Sequence, residues 1–214
     1  MKRAIVFVDA NNWYHNVKKY YEPSQVDITK LAKFLCEVKK YELLEIRWYA
    51  SVPSIADGEE MYYNHMAFLE SLEKKGVKII TRKLQKLSNK ELLKKKQKII
   101  NNLDLCDGCQ KLVEANFLDL ADIKRKEKGI DVWIAVDILN LAVIDNKCDV
   151  CILVSGDADF IPALEIIKSK GKEILTAMTC LGYSRELIEK FPYFILKNET
   201  LLRCFKDYPG RSIK

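Results

Sequence analysis

Long apolar runs are missing from this chain. No stretch approaches the ~18 consecutive apolar residues of a membrane helix, and Met1-Lys-Arg leads straight into a strand-like segment. Neither a membrane span nor a secretory signal is expected. Histidine is scarce: His15 and His65 fall in helical stretches without partner ligands, which argues against a histidine metal centre. Glycine occurs only eight times, and the turn after the first strand, Asp9-Ala-Asn-Asn12, contains none of them. That excludes the Gly-rich phosphate turn of a dinucleotide-binding domain. The same turn lacks the Asp-x-Asp of an aspartyl-phosphate phosphotransferase. There is no Gly/Ser linker and no internal repeat. The seven cysteines are an odd number, and Cys36, Cys151 and Cys180 sit inside apolar runs. This usage suits a reducing cytoplasm better than a disulfide framework.

What is present is enough for a full core. Of 214 residues, 49% are hydrophobic, which suits one larger domain, or one domain with an insertion. The formal charge of +6 is unevenly spread. From Arg82 to Lys98 eight basic residues face one acid, Glu91, for a net of +7; the remainder of the chain is therefore close to neutral, at −1.

Two short apolar runs, Ala4–Val8 and Val150–Val154, have the character of strands buried on both faces. Leu43–Ala50 alternates and reads as a strand, as do Val77–Thr81 and Glu173–Ala177. Helical spacing marks 13–20, 28–40 (capped by Asp27), 59–75 (closed by Gly76), 160–168, 184–190 and 199–205. A strongly amphipathic helix is expected over 132–144, and a short edge element over 193–196. The alternation predicts a three-layer α/β/α domain spanning 1–214, with a mostly parallel five-stranded sheet in the order 3-2-1-4-5. It breaks over 83–126, where Ser88 and Glu91 have capping-box spacing at the start of a lysine-rich helix; this segment reads as a helical insertion or elaborated crossover. Residues 197–214 form a C-terminal helix and tail.

Carboxylates recur where strands end or helices begin: Asp9 after the first strand, Asp131 at a helix start, Asp157 and Asp159 after the fourth. Asp159 could be a helix cap and Asp157 a solvated turn residue. In the order 3-2-1-4-5, however, strands one and four are neighbours whose crossovers leave to opposite faces. Asp9 and Asp157 then share the cleft at the switch point. Two carboxylates ~4 Å apart repel by roughly 4 kcal/mol at a near-surface dielectric, so a cluster calls for a counter-ion. Oxygen donors with water are the ligands of Mg²⁺ or Mn²⁺, and paired ions can activate water at a phosphodiester.

The segments Phe-Val-Asp-Ala-Asn-Asn (7–12), Lys-Gly-Ile-Asp-Val (128–132) and Leu-Val-Ser-Gly-Asp-Ala-Asp-Phe (153–160) resemble, in order and spacing, the NYN domain, a branch of the PIN-like nuclease superfamily. The resemblance runs from Lys2 to about Leu196 and passes over 83–126. It implies a five-stranded parallel sheet and metal-dependent endoribonuclease chemistry, with RNA as partner. The family's acidic cluster carries over to Asp9, Asp131, Asp157 and Asp159 as catalytic and metal-holding residues, with Asn12 and Ser155 in support. Asp137 lies in a motif stretch that often holds an acid, but six residues from Asp131 it points about two-thirds of a turn away. No counterpart is found for a further acid that PIN-like enzymes often place on a helix after the first crossover. The alternative is a catalytically weak or inactive RNA-binding or scaffold module on the same fold.

Substrate contacts are expected from Lys128, beside Asp131, and from Arg82, Lys94, Lys95 and Lys98, since non-specific affinity for nucleic acid comes mainly from neutralised phosphates. A solvated helix face is the plainer reading of the lysines. Trp13, Tyr14, Tyr20, Tyr62 and Tyr63 could stack bases, although aromatics at helical spacing usually belong to a core. Cys106/Cys109 and Cys148/Cys151 have zinc-knuckle spacing. Cys148 and Cys151 should point to opposite faces of a strand, so a joint zinc site is disfavoured. Zinc shared by Cys106 and Cys109 with a second copy is disfavoured too, while a homodimer stays open.

Overall fold

The computed structural model describes residues 1–55, 58–83, 85–87, 90–119, 124–126 and 129–208, with the side chains of 85–87, 90–93, 116–119 and 124–126 outside that description. Lys128 and Ser88 therefore lie outside the described residues. The chain divides into two compact units, one of residues 1–82 with 129–214, the other of 83–128.

The larger unit is built on a six-stranded sheet. Its strands are β1 (Lys2–Asp9), β2 (Tyr41–Val52), β3 (Val77–Lys83), β6 (Val150–Val154), β7 (Glu173–Thr179) and β8 (Tyr193–Leu196), in the order β3-β2-β1-β6-β7-β8. The β1–β2, β1–β6, β6–β7 and β7–β8 pairs are parallel. The expected count of five is one short, because the 193–196 segment pairs along Thr176–Thr179 as a full member of the sheet.

Helices cover both faces. Alternate residues of β1 divide between them: Ala4, Val6 and Val8 join one core, Ile5 and Phe7 the other. The first core is closed by α1 (Ala10–Val17), α2 (Ile28–Lys39), α3 (Glu59–Glu73) and α9 (Asn198–Arg203). The second is closed by α6 (Ile130–Leu139), α7 (Ile161–Ser169) and α8 (Arg185–Lys190). A strand covered on both sides needs apolar residues at every position, which is what Val-Cys-Ile-Leu-Val in β6 supplies. Each fully buried Ile, Leu or Val there contributes about 1.5–3 kcal/mol. Pro162 is accommodated because it lies at the start of α7, where backbone N–H groups have no intrahelical acceptor.

Three local expectations are corrected. α6 is not strongly amphipathic, because apolar residues occupy its exposed as well as its buried positions: Ile130, Ile134 and Ile138 are buried, yet Val132, Trp133 and Val136 are 66%, 40% and 46% exposed. Over residues 46–50 both alternating sets of β2 are inside, so Arg47 (7% exposed) and Tyr49 (0%) are buried. Cys148 and Cys151 do not face apart. Cys148 precedes β6, outside the strand's alternation, and its Sγ stands 3.9 Å from that of Cys151 in the second core.

The smaller unit contains a helical hairpin, α4 (Lys90–Asn101) and α5 (Asp107–Asp119), and an antiparallel ribbon of β4 (Gln85–Leu87) with β5 (Lys124–Lys126). The ribbon was not expected. The Gln97 amide donates to Glu114 Oε1 across the hairpin at 3.1 Å. Lys94, Lys95 and Lys98 are exposed on α4, as are Cys106 and Cys109 at the start of α5.

Candidate active site

Register brings the site together. Val8 of β1 is level with Val154 of β6, so the next residues, Asp9 and Ser155, emerge side by side at the carboxyl ends of neighbouring strands. From there β1 runs into α1 on one face, and β6 leads to α7 on the other. This is the topological switch point of a doubly wound sheet.

Asp9 is only 3% exposed and has two local tasks. Its Oδ1 caps α1 by accepting the Asn12 N–H at 3.1 Å, and its Oδ2 accepts the Ser155 hydroxyl at 3.0 Å. Ser155 Oγ in turn accepts the Asp157 N–H at 3.2 Å. Asp157 Oδ1 accepts the Asp159 N–H at 3.0 Å, so Asp157, not Asp159, caps the turn Ala158–Phe160. Among the described residues each Asp9 oxygen accepts a single hydrogen bond, which leaves a further lone pair. Capping and ligand binding are thus compatible on one carboxylate.

A second chain of bonds holds the loop. Asn12 Oδ1 accepts the Gly156 N–H at 3.1 Å and the Asn16 amide at 3.0 Å. Gly156 O accepts the Ser184 N–H at 3.0 Å. Gly156 has no room for a side chain, since a Cβ there would stand 1.7 Å from Gly182 O. Gly182 in turn lies against the Asn16 side chain, which a Cβ would meet at 2.1 Å.

Electrostatics couples these acids. Burial pushes the Asp9 carboxyl up to about 6, against the Asn12 and Ser155 hydrogen bonds that favour its charge; Asp131 and Asp157 raise it further. Asp131, in the first turn of α6, is also raised, by partial loss of hydration and by the charges of Asp157 and Asp159. It remains exposed on one side, so solvent moderates that shift. Among the described residues no Lys, Arg or His forms an ion pair with Asp9, Asp131, Asp157 or Asp159.

Asp137 stands apart from this group. Its Oδ2 accepts both Arg47 Nη2 and the Tyr49 hydroxyl at 2.8 Å. Arg82 is exposed, with Nη1 3.4 Å from Gly129 O. Of the aromatic candidates, Trp13 is buried in the core, Tyr20 and Tyr62 are half-buried, and Tyr14 and Tyr63 are exposed. The Asn16–Gly182–Gly156 lock was not foreseen in the sequence, and neither was the Arg47–Tyr49 pair. The glycine lock leaves no periodic signal. Arg47 could have been found by noting that a strand covered on both faces must give an arginine a buried acid.

The donor chemistry suits a hard divalent cation: Asp9 and Asp131 are raised by neighbouring carboxylates, and the group has no cationic partner among the described residues. Among those residues, however, no group of three His, Cys, Asp or Glu stands close enough to share an ion. The fit is therefore to a cation that takes one or two carboxylates and completes its shell with water and phosphate oxygens, as Mg²⁺ commonly does.

A doubly wound parallel sheet with carboxylates gathered at its switch point defines the class, an α/β domain with its ligand site at the strand ends. The NYN domain family model matches residues 3–198, nearly the whole chain, and the chain belongs to that family. NYN domains are generally nucleases and typically use divalent metal ions, so membership suggests a nuclease-like, RNA-related function. No curated protein and no solved structure matches the chain. No helix among the described residues is long and apolar enough to cross a membrane.

Proposed function

We propose that this protein is a divalent-metal-dependent endoribonuclease that hydrolyses RNA phosphodiesters at the Asp9, Asp131, Asp157 and Asp159 cluster, in the cytoplasm. One observation carries the reading: a buried carboxylate, Asp9, pushed up to about 6 beside two further acids, with no cation paired to it among the described residues. Mg²⁺ or Mn²⁺ held by Asp9 and its neighbours would supply charge neutralisation and an activated water when bound. The chain's own residues do the positioning. Ser155 orients Asp9 through its hydroxyl, Asn12 ties α1 to the Gly156 loop, and Asp157 orders the turn carrying Asp159. Phosphate contacts come from Arg82, Lys128, Lys94, Lys95 and Lys98.

The test is cleavage of a mixed RNA pool by purified chain, with Mg²⁺, with Mn²⁺ and with chelator. Asp9→Asn and Asp157→Asn should fold and lose most of the cleavage; a variant cutting like the parent would place hydrolysis elsewhere. A second reading, an RNA-binding module that holds an ion weakly, is favoured by the lack of a three-residue ligand group among the described residues. It predicts RNA binding without metal-dependent cleavage in the same assay.

A further inference from the structure

Asp131 is carried by a helix held to the sheet by apolar packing and by one buried polar contact. The buried stripe of α6 is Ile130, Ile134 and Ile138, identical side chains one turn apart. Apolar burial is non-directional, so this row holds the helix to the sheet without a hydrogen-bonded fixed point of its own. The ends add apolar burial but few polar contacts. Gly129, in the left-handed region at φ 83°, gives no side-chain cap, and the Arg82 contact to its carbonyl is long at 3.4 Å. Beyond Leu139 the chain continues as a π-helical turn, Asn140–Ile144, whose Leu141 and Ala142 are buried in the second core.

Between these ends sits the directional contact. Asp137 Oδ2 receives Arg47 Nη2 and the Tyr49 hydroxyl, both at 2.8 Å, while Arg47 Nε donates to that hydroxyl at 2.9 Å. Arg47 Nη1 is held by Glu45 at 2.7 Å, so the guanidinium is fixed to β2 before it reaches the helix. An apolar set of similar volume would hold the core as well or better; what the polar set adds is a fixed point. Asp131 lies six residues before Asp137, about 9 Å along a rigid helix, so movement at one end is transmitted to the other.

We propose that Arg47, Tyr49 and Asp137 are positioning residues that set the register of α6 and thereby place Asp131 opposite Asp157 and Asp159. The inference rests on the acidic cluster being the working site. It assigns Asp137 to the support of that site rather than to the ion.

Mn²⁺ affinity measured without RNA, with thermal unfolding and amide exchange over 130–139, tests this on the full chain. Arg47→Met and Asp137→Asn should each weaken Mn²⁺ at least tenfold and speed exchange in α6. The double variant should be no worse than the weaker single, because the three residues act as one unit. Tyr49→Phe, which keeps the ring and folds most safely, should lose a few-fold, and Arg47→Lys should recover part of the loss in Arg47→Met. Arg47→Met with lowered melting temperature but unchanged Mn²⁺ affinity would overturn the proposal in favour of a purely structural role. A loss confined to Asp137→Asn would overturn it by making Asp137 a ligand. If the parent binds no Mn²⁺, the metal-dependent reading fails. Exchange then decides the pin alone, and α6 amides that exchange as in the parent in every variant would overturn it.

Discussion

Replacing Asp9 by Asn should make the protein less stable in acid and more stable at neutral pH. In the folded chain the buried carboxyl holds its proton up to about 6, while in the unfolded chain it releases it near ~3.9. Because the folded value is the higher one, the stability that Asp9 contributes is fully present below about pH 4 and is lost as pH rises through about 6. A gap of about two units corresponds to ~3 kcal/mol, all of it lost by pH 7.5. Asparagine never ionises, so the variant escapes this loss. It does mismatch one hydrogen bond: Asp9 accepts from both the Asn12 N–H and the Ser155 hydroxyl, and an amide offers only one acceptor oxygen. That costs about 1 kcal/mol at every pH.

The net expectation is a sign reversal. At pH 4 the variant should be ~0.5 kcal/mol less stable than the parent, and at pH 7.5 ~2 kcal/mol more stable, with the curves crossing between pH 4 and 6. Urea unfolding of both chains across pH 4–8, without divalent ions, reads this directly. A stability difference of constant sign and size across that range would refute the reasoning, because Asp9 would then be ionised at no cost and the buried-acid account of the site would fail.

Three further outcomes follow from the same geometry. Mg²⁺ or Mn²⁺ must displace the Asp9 proton, so apparent affinity should rise as pH rises to about 6 and level off above it; titrations at pH 5, 6 and 7.5 check this, and a flat profile would remove Asp9 from the ion. Gly156→Ala drives a methyl into Gly182 O and should cost ~1–3 kcal/mol in thermal unfolding while disordering the loop that bears Asp157; an unchanged melting temperature would show that the 156–182 contact gives freely. Replacing Lys94, Lys95, Lys96 and Lys98 by Gln should flatten the slope of log K against log salt for single-stranded RNA, by about 0.7 for each phosphate no longer neutralised, with little change in single-turnover rate at saturation; an unchanged slope would make α4 a solvated face.

How much of this was legible follows from where each signal lives. β1 and β6 stand out because strands buried on both faces must be apolar throughout, and the acids stand out because they interrupt those runs at their ends. The switch point then follows from strand order. β8 is hard to count as a strand because four residues are too few to show a period, and Tyr193 in it is exposed. The two-stranded ribbon at 85–87 and 124–126 is shorter still, and its partners are far apart in sequence. α6 misleads because Val132, Trp133 and Val136 look like core, and nothing local says which apolar stripe faces the sheet. Arg47 and Tyr49 mislead for the opposite reason. Alternation labels them the polar face of β2, although α6 covers that face and Asp137 meets them there. Pattern reports the chemistry of a face, and only the third dimension says what covers it.

The caps deepen this point. Asp9 and Asp157 each cap the start of a helical turn, the structural use of an acid at a strand end, and each also belongs to the proposed cluster. A cap typically contributes about 1 kcal/mol, less than the ~3 kcal/mol by which burial disfavours the charged form of Asp9. Capping by itself would be served as well by serine or asparagine, which carry no charge to bury. A carboxylate placed here leaves the folded state with negative charge it does not neutralise among its own described residues. A bound cation would relieve that charge and so would stabilise the fold as it formed the site. Ion binding and folding would then be linked at Asp9, whose buried charge a cation would offset.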